Sequence, residues 1–225
     1  MSISLVEDEK RQRWHETNLL NSRSTFTQPP LTPFNYIMHN IAIFASGTGS
    51  NARKIIEYFK NSPDVKVALV VSNKKDAGVL DIAREHDIPT QIIERKMFYE
   101  TETLLGILKK YGVEFVVLAG FLWLIPSYLV RAFPKKMVNI HPALLPKFGG
   151  KGMYGKHVHE AVKAANETET GITIHFLNEH YDEGDIVFQA RCPVLPEDSP
   201  EDIARRVLHL EHRHFPQIIA QLLTA

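Results

Sequence analysis

Cysteine is almost absent from this chain of 225 residues, which contains Cys192 alone. A single cysteine cannot form a disulfide within the chain or supply a cluster of thiolate metal ligands, and it fits a reducing compartment. Net charge is also lacking, because 26 lysines and arginines are balanced by 26 aspartates and glutamates. This balance argues against a nucleic-acid surface, and no apolar run reaches the roughly 18 residues that a membrane span needs. We therefore expect a cytoplasmic protein with no nucleic-acid or membrane partner.

Two common kinds of catalytic motif are missing as well. The chain has eleven histidines but no H-E-x-x-H or C-x-x-C pattern, so no metal site is predicted. No serine or cysteine stands in the sequence context of an activated nucleophile, which argues against covalent catalysis. Any chemistry is therefore expected to use acid–base groups and hydrogen-bond donors.

Residues 1–38 differ in composition from the rest of the chain. A cluster of charged residues at 7–13 is followed by a proline-rich run at 28–33. This pattern favours an appendage, disordered or peripheral, that an extended linker joins to a single domain at 39–225. The alternative is a short helix between Leu5 and Leu20 that packs on the domain.

Apolar runs alternate with amphipathic helical patterns through the first two thirds of that domain. Strands are predicted at 41–45, 65–71, 88–93, 115–119 and 137–140, with helices at 76–86, 100–111, 127–133 and 156–166. Such alternation predicts an α/β fold with a doubly wound, mostly parallel sheet. Two further strands, at 171–177 and 186–190, are predicted to be antiparallel and to extend the sheet edge. A long helix over 199–223 completes the chain.

The glycine-containing stretch Ser46-Gly47-Thr48-Gly49-Ser50-Asn51 follows the first strand and precedes a helical pattern. Glycines at such a place let backbone N–H groups approach an anion, and the helix N-terminus adds its unpaired donors. The spacing loosely matches a dinucleotide fingerprint, but the second strand ends in Ser72-Asn73, without the acidic residue that binds an adenine ribose. A monophosphate site is favoured over a dinucleotide site, and a purely structural turn is the third interpretation.

The stretch Asn139-Ile140-His141-Pro142 ends another predicted strand. Alternation points Asn139 and His141 to the same side, and Pro142 stops the strand because it has no N–H to donate. An amide and an imidazole so placed can donate hydrogen bonds to a developing oxyanion. A carboxylate would orient and charge the imidazole, and the turn at 182–185 offers Asp182, Glu183 and Asp185 without choosing among them. The alternative is that both side chains simply cap the strand.

From about Asn40 to Leu223 the chain resembles the phosphoribosylglycinamide formyltransferase family, folate-dependent enzymes of purine synthesis. The resemblance rests on the motifs FASGTGSN (44–51), VVSNK (70–74), VVLAGF (116–121), NIHPALLPKF (139–148), GITIHF (171–176), DEGDI (182–186) and EHRHFP (211–216).

This resemblance implies a Rossmann-like formyltransferase fold and a set of site residues. The catalytic residues would be Asn139, His141 and Asp182. The residues that bind 5-phosphoribosylglycinamide would be Gly49, Ser50, Asn51 and Glu211. The residues that bind the co-substrate 10-formyltetrahydrofolate would be Leu122, Trp123, Leu124, Ile125, Asn139 and Leu177. No metal is implied, and the protein would be a monomer or a homodimer.

The chain departs from the family pattern at several positions. Trp123 and Thr101 stand where arginines are expected, and Leu208 stands where a residue that reaches the phosphate is expected. Lys151, Lys156 or His209 are candidates for the missing positive charge.

Three other functions compete with this one. They are a different formyltetrahydrofolate enzyme, such as a hydrolase or methionyl-tRNA formyltransferase, a nicotinamide-dependent oxidoreductase, and a binding module without turnover. An assay that mixes the protein with the formyl-folate donor and phosphoribosylglycinamide, and follows loss of the formyl group, separates these functions.

Deletion of residues 1–38 is expected to leave formyl-transfer turnover and the melting temperature unchanged, since neither chemistry nor core packing is assigned to them. The truncated and full-length proteins would be compared by steady-state assay and thermal melting. A loss of activity or a lower melting temperature would contradict the appendage interpretation.

Overall fold

The computed structural model describes residues 38–224. The predicted appendage lies outside the described residues except for Met38, so the domain boundary stays a prediction. The strands are β1 His39–Phe44, β2 Val65–Ser72, β3 Thr90–Ile92, β4 Phe115–Leu118, β5 Met137–His141, β6 Glu169–Phe176 and β7 Ile186–Pro193. The helices are α1 Ser50–Phe59, α2 Gly78–Glu85, α3 Arg95–Glu100, α4 Thr103–Lys110, α5 Ser127–Ala132, α6 Lys156–Ala164 and α7 Pro200–Thr224. None of the helices in this part of the chain is long and apolar enough to cross a membrane.

All seven strands form one sheet, in the order β3-β2-β1-β4-β5-β6-β7. The pairs from β3 to β5 are parallel, whereas β6 is antiparallel to both β5 and β7. This arrangement confirms the predicted mostly parallel sheet with an antiparallel edge. The strand order reverses at β1, which pairs with β2 on one side and β4 on the other. Ligands of such sheets bind at the carboxyl ends of the strands next to this reversal.

Apolar side chains fill both faces of the sheet, as the continuous apolar runs require. Strand β1 shows the division: Ile41 and Ile43 belong to a core with α1, α2, α6 and α7. Ala42 and Phe44 belong to a second core, which α3, α4 and α5 cover. Burial on both sides leaves the strand ends as the place where polar side chains can reach a ligand.

The structure contains one helix that the sequence did not predict. The helix predicted at 100–111 is α4, which begins at Thr103, and the unpredicted helix α3 precedes it, with Thr101 between the two in extended conformation. Helix α3 contains six residues, and Phe98 is the one that is buried. A helix of so few residues spans less than two turns, so it has no apolar periodicity for a sequence pattern to reveal.

Helix α7 begins where the sequence predicted, at a capping box. The Ser199 hydroxyl accepts a hydrogen bond from the Asp202 amide at 3.1 Å, and the Asp202 carboxylate accepts one from the Ser199 amide at 3.0 Å. This reciprocal pair satisfies two of the unpaired donors at the helix start. The Arg206 guanidinium also binds the Asp198 carboxylate just ahead of the helix, at 2.7 and 2.9 Å. Both contacts fix the direction of α7, which carries Glu211 towards the strand ends.

Gly49 is expected to be irreplaceable for packing, whereas Gly47 is not. Gly49 caps α1 at φ 81°, and an added Cβ would lie 2.8 Å from the Cα and Cβ of Val79. We expect Gly49→Ala to lower the free energy of unfolding by about 2 kcal/mol or more, from backbone strain and overpacking. Gly47 is exposed and has nothing within 4 Å of an added Cβ. Gly47→Ala is therefore expected to change stability by no more than about 0.5 kcal/mol.

Urea unfolding of both variants measures this difference. Equal losses of stability in Gly49→Ala and Gly47→Ala would contradict the packing role of Gly49.

Candidate active site

A cavity of about 630 Å³ opens at the carboxyl ends of β4 and β5. It brings together most of the site residues expected from the sequence: Asn51, Leu122, Trp123, Leu124, Ile125, Asn139, His141, Leu177, Asp182 and Glu211. Gly49 and Ser50 do not line it. Gly49 packs against α2, and Ser50 is the first residue of α1, so the glycine stretch shapes the start of a helix beside the cavity.

Strand β5 delivers Asn139 and His141 to the cavity. Asn139 lies opposite Leu118 of β4 on one side and His175 of β6 on the other. His141 is two residues further along the strand, on the same face, and is 3% exposed. The strand ends there, before Pro142, which matches the expected role of that proline.

Asp182 supplies the carboxylate beside His141, whereas Glu183 and Asp185 are exposed and do not line the cavity. One Asp182 oxygen lies 3.5 Å from His141 Nδ1 and accepts a hydrogen bond from the Gly150 amide at 2.9 Å. Burial by itself would raise the pKa of Asp182, but His175, His141 and the Gly150 amide outweigh it and hold the pKa below its ordinary value. Asp182 is therefore ionised at neutral pH.

His175 belongs to the same cluster, although no role was predicted for it from the sequence. Its Nδ1 lies 2.9 Å from the Phe176 carbonyl oxygen, and its Nε2 lies 3.1 Å from Asn139 Nδ2. A carbonyl can only accept, so Nδ1 carries a proton, while Nε2 faces the Asn139 amide and lies 3.6 Å from an Asp182 oxygen. His175 thereby orients the NH₂ group of Asn139. The pairing of β6 with β5 was the missing signal, since it puts residue 175 opposite residue 139.

His141 does not have the raised pKa that the sequence reasoning expected from a neighbouring carboxylate. Burial lowers the pKa of His141 below its ordinary value, and this effect outweighs the opposing effects of Asp182 and of the Phe148 carbonyl. His141 Nε2 lies 2.8 Å from that carbonyl oxygen and donates to it. The imidazole is consequently neutral at pH 7 in this conformation, with its proton on Nε2.

Glu211 and Asn51 close the polar end of the cavity. Asn51, in the first turn of α1, donates a hydrogen bond of 2.6 Å to the Glu211 carboxyl group on α7. Burial raises the pKa of Glu211 to about 7, although the bond from Asn51 acts in the opposite direction. Among the described residues, Asn51 Oδ1 is buried without a hydrogen-bond partner. This end of the cavity can therefore satisfy both donors and acceptors of a polyhydroxyl ligand.

Positive charge near the polar end comes from the loop after β5 and from the start of α6. Lys151 and Lys156 both line the cavity, as does Leu208, whereas His209 does not. Both lysines are exposed, and Lys156 lies 3.4 Å from Glu160. These two side chains are the ones placed to meet an anionic group.

The opposite end of the cavity is apolar and is formed by the segment 121–125, which follows β4. Leu122 to Ile125 and Leu177 line it. Trp123 packs at ring-centroid distances of 5.6 Å from Phe98 and 6.3 Å from Phe121. The Leu122 amide donates to the buried Ser46 hydroxyl at 2.9 Å, which anchors the segment to the end of β1. A flat ring system could be enclosed here.

Within residues 38–224, no group of three or more histidine, cysteine or acidic side chains is arranged so that it could hold a metal ion. The polar groups of the cavity are instead amide, imidazole and carboxyl groups that hydrogen-bond to one another. The arrangement can stabilise a developing negative charge and accept a proton.

Glu211→Gln is expected to make folding stability less dependent on pH. The pKa of Glu211 is about 7 when folded, against an ordinary value of 4.5, so the folded protein keeps a proton that the unfolded chain releases. The wild-type free energy of unfolding should therefore fall by up to about 3 kcal/mol as the pH rises from about 5 to about 8. The glutamine variant should lack this fall and be more stable than wild type at the upper end.

Urea unfolding at several pH values checks this, with the exposed Glu160→Gln as the control that should follow the wild-type curve. Parallel curves for Glu211→Gln and wild type would show that Glu211 titrates alike in the folded and unfolded chains.

Comparisons with known proteins agree with this geometry. Residues 39–219 match the model of the formyl transferase family. The chain is 46% identical over 188 residues to the chloroplastic phosphoribosylglycinamide formyltransferase of Arabidopsis thaliana. This alignment covers 81% of this chain and 64% of the relative. It is 37% identical to the phosphoribosylglycinamide formyltransferase of Haemophilus influenzae, over 81% of this chain and 86% of the relative.

Solved structures agree in fold as well. The phosphoribosylglycinamide formyltransferase of Anaplasma phagocytophilum superposes with a TM-score of 0.76 at 33% identity, covering 82% of this chain and 86% of that one. The enzyme of Bacillus halodurans gives 0.75 at 35% identity, covering 82% and 95%. The chain spans less than two thirds of the Arabidopsis and Vigna unguiculata relatives, 64% and 60% of their lengths. The matched region nevertheless includes every element that builds the cavity, and this chain therefore belongs to the formyl transferase family, its matched relatives being phosphoribosylglycinamide formyltransferases.

Proposed function

We propose that the protein transfers the formyl group of 10-formyltetrahydrofolate to the amine of 5-phosphoribosylglycinamide, a step of purine biosynthesis. The observation that carries the proposal is the convergence of Asn139, His141 and Asp182 in one cavity, between a polar end and an apolar end. Family membership and the names of the matched relatives support the same reaction. The products are the N-formylated amine and tetrahydrofolate.

In this proposal the acceptor amine attacks the formyl carbon directly, and the carbonyl oxygen becomes an oxyanion. The Asn139 amide nitrogen lies 3.1 Å from His175 Nε2, and in this scheme the amide donates a hydrogen to the oxyanion. His141 Nε2–H is the second donor once the formyl oxygen replaces the Phe148 carbonyl as its acceptor. Donors aimed at the charge that develops in the transition state lower the barrier more than they tighten substrate binding.

Asp182 has two tasks in the same step. Its ionised carboxylate lies 3.5 Å from His141 Nδ1, so it favours the charged imidazolium as negative charge builds on the oxyanion. It also accepts the proton that the attacking amine loses, directly or through water. The carbon–N10 bond then breaks, and N10 of the folate receives a proton.

The two ends of the cavity correspond to the two substrates. Asn51 and Glu211 would hold the ribose, and the phosphate would meet the N-terminal amides of α1 at Gly49 and Ser50, with help from Lys151 or Lys156. The pterin ring of the donor would enter the apolar end lined by Leu122, Trp123, Leu124, Ile125 and Leu177. No metal takes part in this scheme.

The assembly and location of the protein are part of the proposal. Residues 39–225 would act as one catalytic domain, as a monomer or homodimer. A cytoplasmic location is supported by the single cysteine, while two relatives are named chloroplastic.

Replacing either proposed oxyanion donor should reduce turnover strongly. Asn139→Ala and His141→Ala are each expected to lower kcat by about 10²–10³, because each removes one donor to the transition state. The rates would be measured with saturating formyl donor and acceptor, after thermal melting has established that the variants fold. The exposed Asn61→Ala and His157→Ala serve as matched controls and should keep wild-type rates. Near-wild-type turnover in a folded Asn139→Ala or His141→Ala protein would overturn the assignment.

A further inference from the structure

The loop that follows β5 brings two backbone groups to the catalytic cluster. The Phe148 carbonyl oxygen lies 2.8 Å from His141 Nε2. The Gly150 amide donates a hydrogen bond to Asp182 at 2.9 Å. The first contact keeps the proton of His141 on Nε2, and the second helps to keep Asp182 ionised. The position of this loop therefore affects both groups.

A row of three paired residues crosses the antiparallel part of the sheet. His141 on β5 pairs with Thr173 on β6, and Thr173 pairs with Gln189 on β7. Residues directly opposite one another in antiparallel strands share a face of the sheet, so the three side chains lie on one face. His141 lines the cavity, whereas Thr173 and Gln189 do not. The row therefore connects a proposed catalytic residue to residues outside the cavity.

The fully buried hydroxyl of Thr173 binds the start of the loop. It donates to the Ala143 carbonyl oxygen at 2.7 Å and accepts a hydrogen bond from the Leu145 amide at 3.0 Å. It accepts another from Gln189 Nε2 at 2.9 Å. A hydroxyl has one donor and two acceptor sites, so these three bonds use all of its capacity.

Gln189 also binds the same stretch of the loop directly. Its Nε2 donates to the Leu145 carbonyl oxygen at 3.0 Å, so both amide hydrogens are used. Leu145 is thus held at its amide by Thr173 and at its carbonyl oxygen by Gln189. A shift of Leu145 would break buried hydrogen bonds and leave their polar groups without partners, which is costly.

Leu145 in turn packs against Gly149, near the end of this part of the loop. A Cβ added to Gly149 would lie 2.6 Å from Leu145 Cδ2 and 3.4 Å from the Cβ of Asp182. Gly149 is therefore closely enclosed between these two residues. Because close-packed groups leave no space to absorb a displacement, a shift of Leu145 would move Gly149 and its neighbours Phe148 and Gly150.

We propose that Gln189 is a positioning residue for the transfer reaction, which acts by holding the loop after β5 in place against His141 and Asp182. The proposal rests on the proposed function, because it concerns how the same catalytic cluster is held. Gln189 acts through Thr173 and Leu145 and does not line the cavity that holds the substrates. Its loss should therefore affect the rate of the reaction more than the binding of either substrate.

Gln189→Met keeps the length of the side chain and removes both donors. We expect kcat to fall about tenfold or more, because a misplacement of about 1 Å in a catalytic site can cost about 10²-fold. The KM values for both substrates should stay within about twofold of wild type, since the binding contacts are kept. The control Gln217→Met changes an exposed glutamine on α7 and should leave kcat unchanged.

The pH dependence of kcat separates positioning from a simple loss of folded protein. The ionisable groups that face Asp182 are His141 on β5 and His175 on β6. The Gly150 amide lowers the pKa of Asp182, so weakening this bond should raise that pKa. The pH below which kcat falls should therefore be higher in Gln189→Met than in wild type. A smaller amount of folded protein would instead lower the rate by one factor across the pH range.

Variants of Thr173 test the same connection from the middle of the row. Thr173→Ser keeps the hydroxyl and should keep kcat, whereas Thr173→Val removes it and should lower kcat as Gln189→Met does. The double variant should lose little more than the weaker of the two single variants, because both side chains hold one segment and their effects are not independent.

Three outcomes would overturn the positioning role of Gln189. They are a wild-type kcat in a folded Gln189→Met protein, a kcat–pH profile with an unshifted acid limb, and losses that multiply in the double variant. Each is measured against a wild-type protein that turns over both substrates. Absence of turnover in wild type would instead overturn the proposed function.

Discussion

A carboxylate removed from water must be given other polar partners, and the site of this protein is organised around one such group. The partners of Asp182 come from different parts of the chain: His141 on β5, His175 on β6 and the Gly150 amide in the loop between β5 and α6. One carboxylate therefore contacts strand β5, strand β6 and the loop after β5. The order of the cavity wall depends on that charge remaining ionised.

Burial acts on the three acidic and basic groups of the cavity in different ways. It favours the neutral forms of His141 and Glu211, lowering the pKa of the first and raising that of the second to about 7. Asp182 alone among the three stays charged, because His175, His141 and the Gly150 amide hold its pKa below its ordinary value. His141 and Glu211 can become charged when a ligand brings groups of opposite charge. A site that becomes charged in this way is complementary to the transition state rather than to the substrate.

Features of this structure that depend on neighbouring residues in the sequence were predictable, whereas features that depend on contacts between distant residues were not. The central strands were predictable because burial on both faces produces uninterrupted apolar runs such as 41–45 and 115–119. Asn139 and His141 were predictable because alternation and a following proline are local. His175 was missed because its role comes from a strand pairing between distant residues. The choice of Asp182 over its acidic neighbours came from the family resemblance, since the turn alone treats the three residues alike.

The same distinction applies to electrostatics. The sequence suggested a carboxylate beside His141 and hence a raised pKa, but the net direction depends on how much water the fold removes from the imidazole. Such burial is a property of the assembled cavity. Helix α3 was likewise not predictable, since six residues are too few for a periodic pattern.

Ser46, which follows β1, forms hydrogen bonds with the segment that follows β4, and these two segments lead to the two ends of the cavity. Its amide donates to the Gly120 carbonyl oxygen at 3.0 Å, and its hydroxyl accepts from the Leu122 amide at 2.9 Å. The chain that leaves β1 at Phe44 leads to α1, which begins at Ser50 and carries Asn51, while the chain that leaves β4 forms the apolar wall. Two neighbouring parallel strands with a fixed spacing thus define the separation between the polar and apolar ends. The sheet therefore sets the distance between the two bound molecules. The loops can vary in sequence without altering this distance.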